Sequence, residues 1–237
     1  KSKGTTHFMN FYRDDLCTIF FGDSQTALQP QEWQGKQSQD LFLQEPWATV
    51  KTELGCKTIF FLHQVHGITG KIITKDFVEK RLFMKESDYL ITDLPGVGIG
   101  VVTADCLPLV LIDPVKKVVA VVHAGWRGLV QGVVEQAIDD CVRVYGTSVQ
   151  DLQLFAGPAA GVCCYEVGFQ FLETTADKNI PREAFFQKNG TLFFDMKGLL
   201  RRVCAKKGIL MGHVEESFSA CTICAPFYCS FRRSHGA

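Results

Sequence analysis

The residues most able to do chemistry lie between positions 63 and 128. Residues 103–128 read TADCLPLVLIDPVKKVVAVVHAGWRG, with Cys106 before one apolar run and His123 at the end of the next. A tight turn at Asp113-Pro114 folds the runs against each other. Cys106 and His123 then fall at the outer ends of a hairpin-like pair, where two side chains converge. Upstream, HQVHG offers His63 and His66. That stretch reads as a loop, and His66, beside Gly67, is the one expected to point inward. Two imidazoles and a thiolate leave a fourth zinc position open, the pattern of a catalytic rather than a structural site. The same set holds copper if a weak axial ligand is added. Without a metal, Cys106 as nucleophile and His123 as its base would make a thiol hydrolase. A structural zinc in a non-catalytic binding module is the third reading, and three ligands rather than four weigh against it.

Other groups add to this set. Gly125 and Gly128 allow close backbone approach at a helix start. Free N–H groups there, with the Arg127 guanidinium, suit a phosphate or carboxylate. Arg232-Arg233 reads equally as an anion-binding pair or a solvated basic tail. Cys221 and Cys224, in CTIC, could be half of a four-cysteine zinc site with Cys163-Cys164. Adjacent cysteines are poor ligands to one metal, so the expectation is against it.

These side chains need elements to hold them. Strands are expected at Thr18–Phe21, Thr58–Leu62, Ile68–Thr74, Asp88–Thr92, Val97–Thr103, Leu107–Ile112, Val118–His123 and Leu152–Ala156. The Val97, Leu107 and Val118 runs are continuously apolar, as in strands buried on both faces. Helices are expected at Ala48–Leu54, Gly128–Tyr145, Val167–Thr175 and Met196–Lys207, with Gly55, Gly146 and Gly208 closing three of them. Asn189-Gly190 between FFQK and TLFF signals a hairpin. Gln29–Gln44 reads as loop or short helix, and Lys75–Asp88 as a polar surface excursion. Strands and helices alternate without a clean βαβ period, which predicts an α/β chain with mixed sheets.

Composition bounds the rest. The chain has 237 residues, 46% hydrophobic and 21% charged, with zero formal net charge. That profile suits a soluble globular protein and argues against nucleic acid or an anionic membrane as the main partner. The longest apolar candidate for a span is interrupted by Lys116 and Lys117. Ten cysteines in a chain of this size read as free thiols and perhaps metal ligands in a reducing, cytoplasmic compartment. Cys141 and Cys204 fall on helical apolar stripes and read as core. Oligomeric state is left open.

The ordered motifs QVHG, TADCLPLVL, VVAVVHAGWRG, GPAAGVCCYEVG and SFRR resemble those of the laccase-domain proteins, also called the YfiH or polyphenol-oxidase family. The resemblance spans roughly residues 57–233. It implies a single compact α/β domain over 1–237, of mixed β-sheets layered with helices and related to the fold of a Cys-His deamidating toxin. It implies one zinc on His66, Cys106 and His123. It also implies phosphorolysis of adenosine, inosine, guanosine and methylthioadenosine, with inorganic phosphate as co-substrate, and deamination of adenosine. The catalytic set would be His66, Cys106, His123 and Asp105. The substrate-binding set would be Gln64, Arg127, Gly128, Glu166, Arg232 and Arg233. Asp105 and Glu166 are the candidates for moving a proton in deamination. Copper-dependent phenol oxidation, the family's first described activity, is less expected. The six histidines (7, 63, 66, 123, 213 and 235) lack the paired His-X-His spacing of a multicopper cluster. At the N-terminus the chain departs from the pattern. FFGDSQTALQPQEWQG stands where the family usually carries a Ser/Asn-Leu-Gly stretch and an Asn-Arg pair.

Overall fold

The computed structural model describes residues 10–27, 45–80, 86–175, 178 and 180–235. The expected loop at Gln29–Gln44 lies outside these residues, as does the middle of the expected surface excursion. In chain order the strands are β1 (Asn10–Arg13), β2 (Thr18–Phe21), β3 (Thr58–Phe60), β4 (Gly70–Ile73), β5 (Tyr89–Thr92), β6 (Val97–Ile99) and β7 (Leu107–Asp113). They continue with β8 (Val118–Ala124), β9 (Gln153–Ala156), β10 (Glu166–Val167), β11 (Phe185–Lys188), β12 (Thr191–Phe194) and β13 (Val214–Glu215). The α-helices are α1 (Trp47–Glu53), α2 (Lys75–Lys80), α3 (Trp126–Gln131), α4 (Val133–Tyr145), α5 (Phe169–Thr175), α6 (Met196–Lys207) and α7 (Phe231–His235).

The main sheet has six strands in the order β13-β9-β7-β8-β5-β4. It is mixed, since β13/β9 and β4/β5 are parallel pairs and the other three pairs are antiparallel. Side chains alternate across a strand, so a continuous apolar run needs cover on both faces. Leu109, Leu111, Ala120 and Val122 join the core beneath α4 and α6. On the other face, Val121 joins Phe60, Leu62 and Leu90, and Ile112 joins Ile19, Phe21 and Phe155. Thus the β3/β6 and β1/β2 pairs cover what the helices do not. The β7–β8 turn is held by Asp113, whose carboxylate accepts the N–H groups of Val115 and Lys116 at 2.9 Å.

Local signals place several elements where the sequence puts them. Asp195 caps α6 by accepting the Gly198 N–H at 2.9 Å, and Gly208 ends it at φ 87°. Asn189 (φ 51°) and Gly190 (φ 80°) turn β11 into β12, a backbone that suits the twist of the two strands. Other expectations are corrected. The helix expected over 128–145 is two helices, α3 and α4, separated by Gly132 at φ 98°. A left-handed residue ends a right-handed helix, and glycine takes that conformation without a Cβ clash. β6 stops at Ile99, pairs among the described strands only with β3, and is half-buried rather than covered on both faces. Val167 belongs to β10, paired with β12, so α5 starts two residues later, at Phe169.

Candidate functional site

The β7–β8 pair sets the first two candidate ligands. Pro108 lies opposite His123, so Cys106, two residues earlier, stands just beyond the strand end beside it. His66 comes from the β3–β4 loop and adopts φ 60°. The ligand atoms of His66, Cys106 and His123 lie within 4.8 Å of one another. Cys106 Sγ is 3.7 Å from His66 Nε2, and the two imidazole rings meet edge to face at 4.7 Å. His66 is exposed and His123 is 2% exposed, so the cluster opens to solvent on the His66 side. A Cβ added to Gly125 would sit 2.7 Å from His66 Cδ2 and 3.0 Å from Cys106 Sγ. A side chain at that position would crowd the space where the three candidate ligands meet.

Asp88, at the start of β5, organises this cluster. Its side chain is buried, and Oδ1 lies 2.8 Å from His123 Nδ1. The same carboxylate accepts the backbone N–H of His66 at 2.9 Å and of Gly67 at 2.6 Å. One residue therefore fixes the His123 ring with Nε2 free and fixes the loop that carries His66. Burial alone would raise the Asp88 pKa, but the His123 hydrogen bond and the two N–H donors outweigh it and hold the group below its usual range. For His66, burial, then the charge of His123, lowers the pKa. Burial, with the carboxylates of Asp105 and Asp88, pushes the Cys106 thiol up to about 12. Sequence reasoning passed over Asp88 because it closes a polar run, KESD. The available signal was an acidic residue immediately before the apolar run YLIT.

The remaining expected residues take varied places. Asp105, at φ 82° and 7% exposed, has both oxygens engaged. Its Oδ1 accepts the Thr222 hydroxyl at 2.6 Å and its Oδ2 accepts the Arg232 N–H at 2.7 Å. Gln64 makes a two-way amide pair with the backbone of Val102, at 2.8 Å in each direction. Gly128 is buried against the Gly67 carbonyl, where an added Cβ would stand at 2.8 Å. Arg127 is exposed and lies over the Trp126 ring at 4.5 Å. Arg232 stacks on Tyr165 at 5.0 Å and donates to the Glu166 carbonyl at 2.9 Å, while the Glu166 residue itself is exposed. Arg233 instead gathers the carbonyls of Thr222, Ile223, Ala225 and Tyr228. His63 is exposed on an isolated bridge to Glu86 and is not part of the ligand cluster. A separate cavity of about 1080 Å³ is lined by Phe20, Trp47, Phe61 and Val101, among others, and none of the three ligands lines it. Among the described residues no helix is long and apolar enough to cross a membrane.

The family model described as multi-copper polyphenol oxidoreductase laccase matches residues 39–237. Over 179 residues the chain is 36% identical to a purine nucleoside phosphorylase of Aquifex aeolicus, covering 76% of this chain and 78% of that protein. It is 27% identical over 220 residues to a purine nucleoside phosphorylase of Clostridium acetobutylicum, covering 93% and 86%. With an adenosine deaminase, RL5, from an unknown prokaryotic organism, it shares 32% identity over 145 residues, 60% of this chain and 55% of that protein. Among solved structures, the Bacillus licheniformis hypothetical protein YfiH superposes with a TM-score of 0.68 at 29% identity, covering 79% of this chain and 74% of that one. YlmD of Geobacillus stearothermophilus gives a TM-score of 0.66 at 26% identity, covering 75% and 69%.

Proposed function

The chain belongs to the multi-copper polyphenol oxidoreductase laccase family, and we propose that it is a zinc-dependent purine nucleoside enzyme. Its reactions would be phosphorolysis of adenosine, inosine, guanosine and methylthioadenosine, and deamination of adenosine. The observation that carries this reading is the three-donor cluster of His66, Cys106 and His123, open on one side. Two nitrogens and a sulfur suit zinc, and His123 has only Nε2 to offer because Asp88 occupies Nδ1. Glycine at 125 keeps the space between the ligands clear. Zinc, when bound there, supplies Lewis-acid polarisation at the open position. Relatives named for phosphorolysis and for deamination support a nucleoside substrate over a phenol.

The chain's own residues would do the remaining work. In phosphorolysis a phosphate oxygen attacks ribose C1′, the C1′–N9 bond breaks and the purine leaves with a proton. Arg127, exposed in the first turn of α3, would hold the phosphate, and α3 offers its first N–H groups beside it. In deamination water adds at C6 and ammonia departs. Asp105 is already engaged by Thr222 and Arg232, so it would position the ligand Cys106, leaving the exposed Glu166 to carry the proton. Gln64, Gly128, Arg232 and Arg233 would shape the substrate site mainly by fixing its backbone. The metal-free thiol hydrolase fares worse. Cys106 is half-buried and its thiol is pushed up to about 12, far from the thiolate that such a nucleophile needs.

Incubating the zinc-loaded protein with adenosine, with and without phosphate, separates the routes by product mass. Adenine appearing only with phosphate is expected from phosphorolysis, inosine from deamination and hypoxanthine from both in sequence. His123→Ala should lose every product. Full turnover by that variant would sink the proposal.

A further inference from the structure

Four more sulfurs converge away from the cluster described above. The Sγ atoms of Cys163, Cys164, Cys221 and Cys224 lie within 4.8 Å of one another. Cys224 Sγ is 3.0 Å from Cys164 Sγ and 3.5 Å from Cys163 Sγ. A zinc ion with four sulfurs at about 2.3 Å has tetrahedral S···S edges of about 3.8 Å. These two separations fall short of that edge, and every separation in the cluster stays within 4.8 Å. Adjacent cysteines are poor ligands to one ion where their side chains diverge, and the local backbone here turns both to one side. Residues 161–164 form a turn in which the N–H groups of Cys164 and Tyr165 both donate to the Gly161 carbonyl, at 3.0 and 2.9 Å. That curl brings the two consecutive side chains to the same point.

The second half of the cluster is built the same way. In CTIC the Ala225 N–H closes on the Cys221 carbonyl at 3.0 Å. The two turns are locked together by Ala159, whose N–H donates to the Ala220 carbonyl and whose carbonyl accepts the Thr222 N–H, both at 3.0 Å. The Gly161 N–H points at Cys221 Sγ from 3.3 Å, a donor that stabilises negative charge on sulfur. A side chain at Gly161 would crowd the cluster, since an added Cβ would lie 3.3 Å from both Cys163 Sγ and Cys221 Sγ. Cys163 and Cys224 are exposed, which gives an ion a way in.

We propose that Cys163, Cys164, Cys221 and Cys224 bind a second zinc ion, in a closed four-sulfur site distinct from the His66–Cys106–His123 centre. Each thiol releases its proton to solvent as its sulfur binds the ion. A sulfur-only donor set favours a soft ion, and four protein ligands leave no position for substrate. The site is therefore structural. Its effect reaches the other centre through Thr222, which sits inside CTIC and holds Asp105, the neighbour of Cys106. The second ion would pin that loop.

The test loads the full chain with Zn²⁺ alone under reducing conditions and counts metal by native mass spectrometry and elemental analysis. Two zinc ions per chain are expected for the unaltered protein, and one each for His66→Ala and for Cys224→Ser. Cys106→Ser loaded with Co²⁺ should still show sulfur-to-cobalt charge-transfer absorption, which decides the matter even if Cys224→Ser fails to fold. A single zinc that His66→Ala removes would overturn the proposal. So would a Cys164–Cys224 disulfide found by peptide mapping of the protein as isolated, or iron–sulfur absorption of the protein as isolated. Nucleoside turnover is not read in any arm, so the result is independent of the function proposed above.

Discussion

His66, Cys106 and His123 stand at or beside the ends of strands in a covered sheet, whereas Cys163, Cys164, Cys221 and Cys224 sit on two turns at the surface. In the first cluster a buried carboxylate, Asp88, reaches both His123 and the loop carrying His66. In the second no carboxylate takes part among the described residues, and the turns hold one another through Ala159. Three donors leave room for substrate, and four close the shell. The difference is one of rigidity and openness. A centre that is to bind and release ligand needs its few protein donors fixed from outside, while a centre with a full donor set is fixed by the metal itself.

The sharpest way to break this comparison is Gly125→Ala. The new Cβ would meet His66 Cδ2 at 2.7 Å and Cys106 Sγ at 3.0 Å. Displacing ligands by about 1 Å costs on the order of 100-fold in rate. Nucleoside turnover should fall by at least that factor and one zinc should be lost, with the four-cysteine zinc retained. Stoichiometric zinc and normal turnover in this variant would end the account of the cradle. Next in size is Asp88→Asn, which changes the carboxylate behind His123 and the His66 loop but none of the three candidate ligands. Zinc affinity at the open site should drop about 10–100-fold in a chelator competition. An equal drop at the four-cysteine site would show that the two are not separately held.

The open site should also load in a pH-dependent way. Burial and neighbouring carboxylates push the Cys106 thiol up to about 12, so zinc must displace its proton. His66, whose pKa is lowered by burial and by His123, is already neutral near pH 7 and releases none there. Apparent zinc affinity should therefore rise about tenfold per pH unit through the neutral range, for one proton released. A flat profile between pH 6 and 8 would contradict the shift assigned to Cys106. The smallest effect belongs to Gly132→Ala, at φ 98° between α3 and α4. Stability should fall by about 1–2 kcal/mol in urea unfolding, with both zinc stoichiometries unchanged.

Much of the scaffold was legible because its signals are local. Asp195 and Gly208 bound α6, Asn189-Gly190 makes the β11–β12 turn, and the β7 and β8 runs are as deeply buried as their composition implies. The convergence of two candidate ligands was legible too, since Cys106 and His123 flank a strand pair whose ends must meet. Gly132 was harder to read, because a single glycine inside an apolar period is often tolerated by a helix, and only its backbone angle shows the break. β6 was misjudged because an apolar run does not say which sheet it joins.

The sequence by itself determined the periodicity, the caps and the turn residues, all properties of residues close together in the chain, and it offered two imidazoles and one thiolate as candidate donors. Tertiary structure decided the partners. Asp88 lies 22 residues from His66 and 35 from His123, and only the β5–β8 register puts its carboxylate between them. Cys164 and Cys224 are 60 residues apart and meet because the Ala159 bridge sets two turns face to face. Local preference follows from each residue's own backbone and its near neighbours. Convergence over such distances follows from strand order and register, which the burial of both faces of the sheet selects.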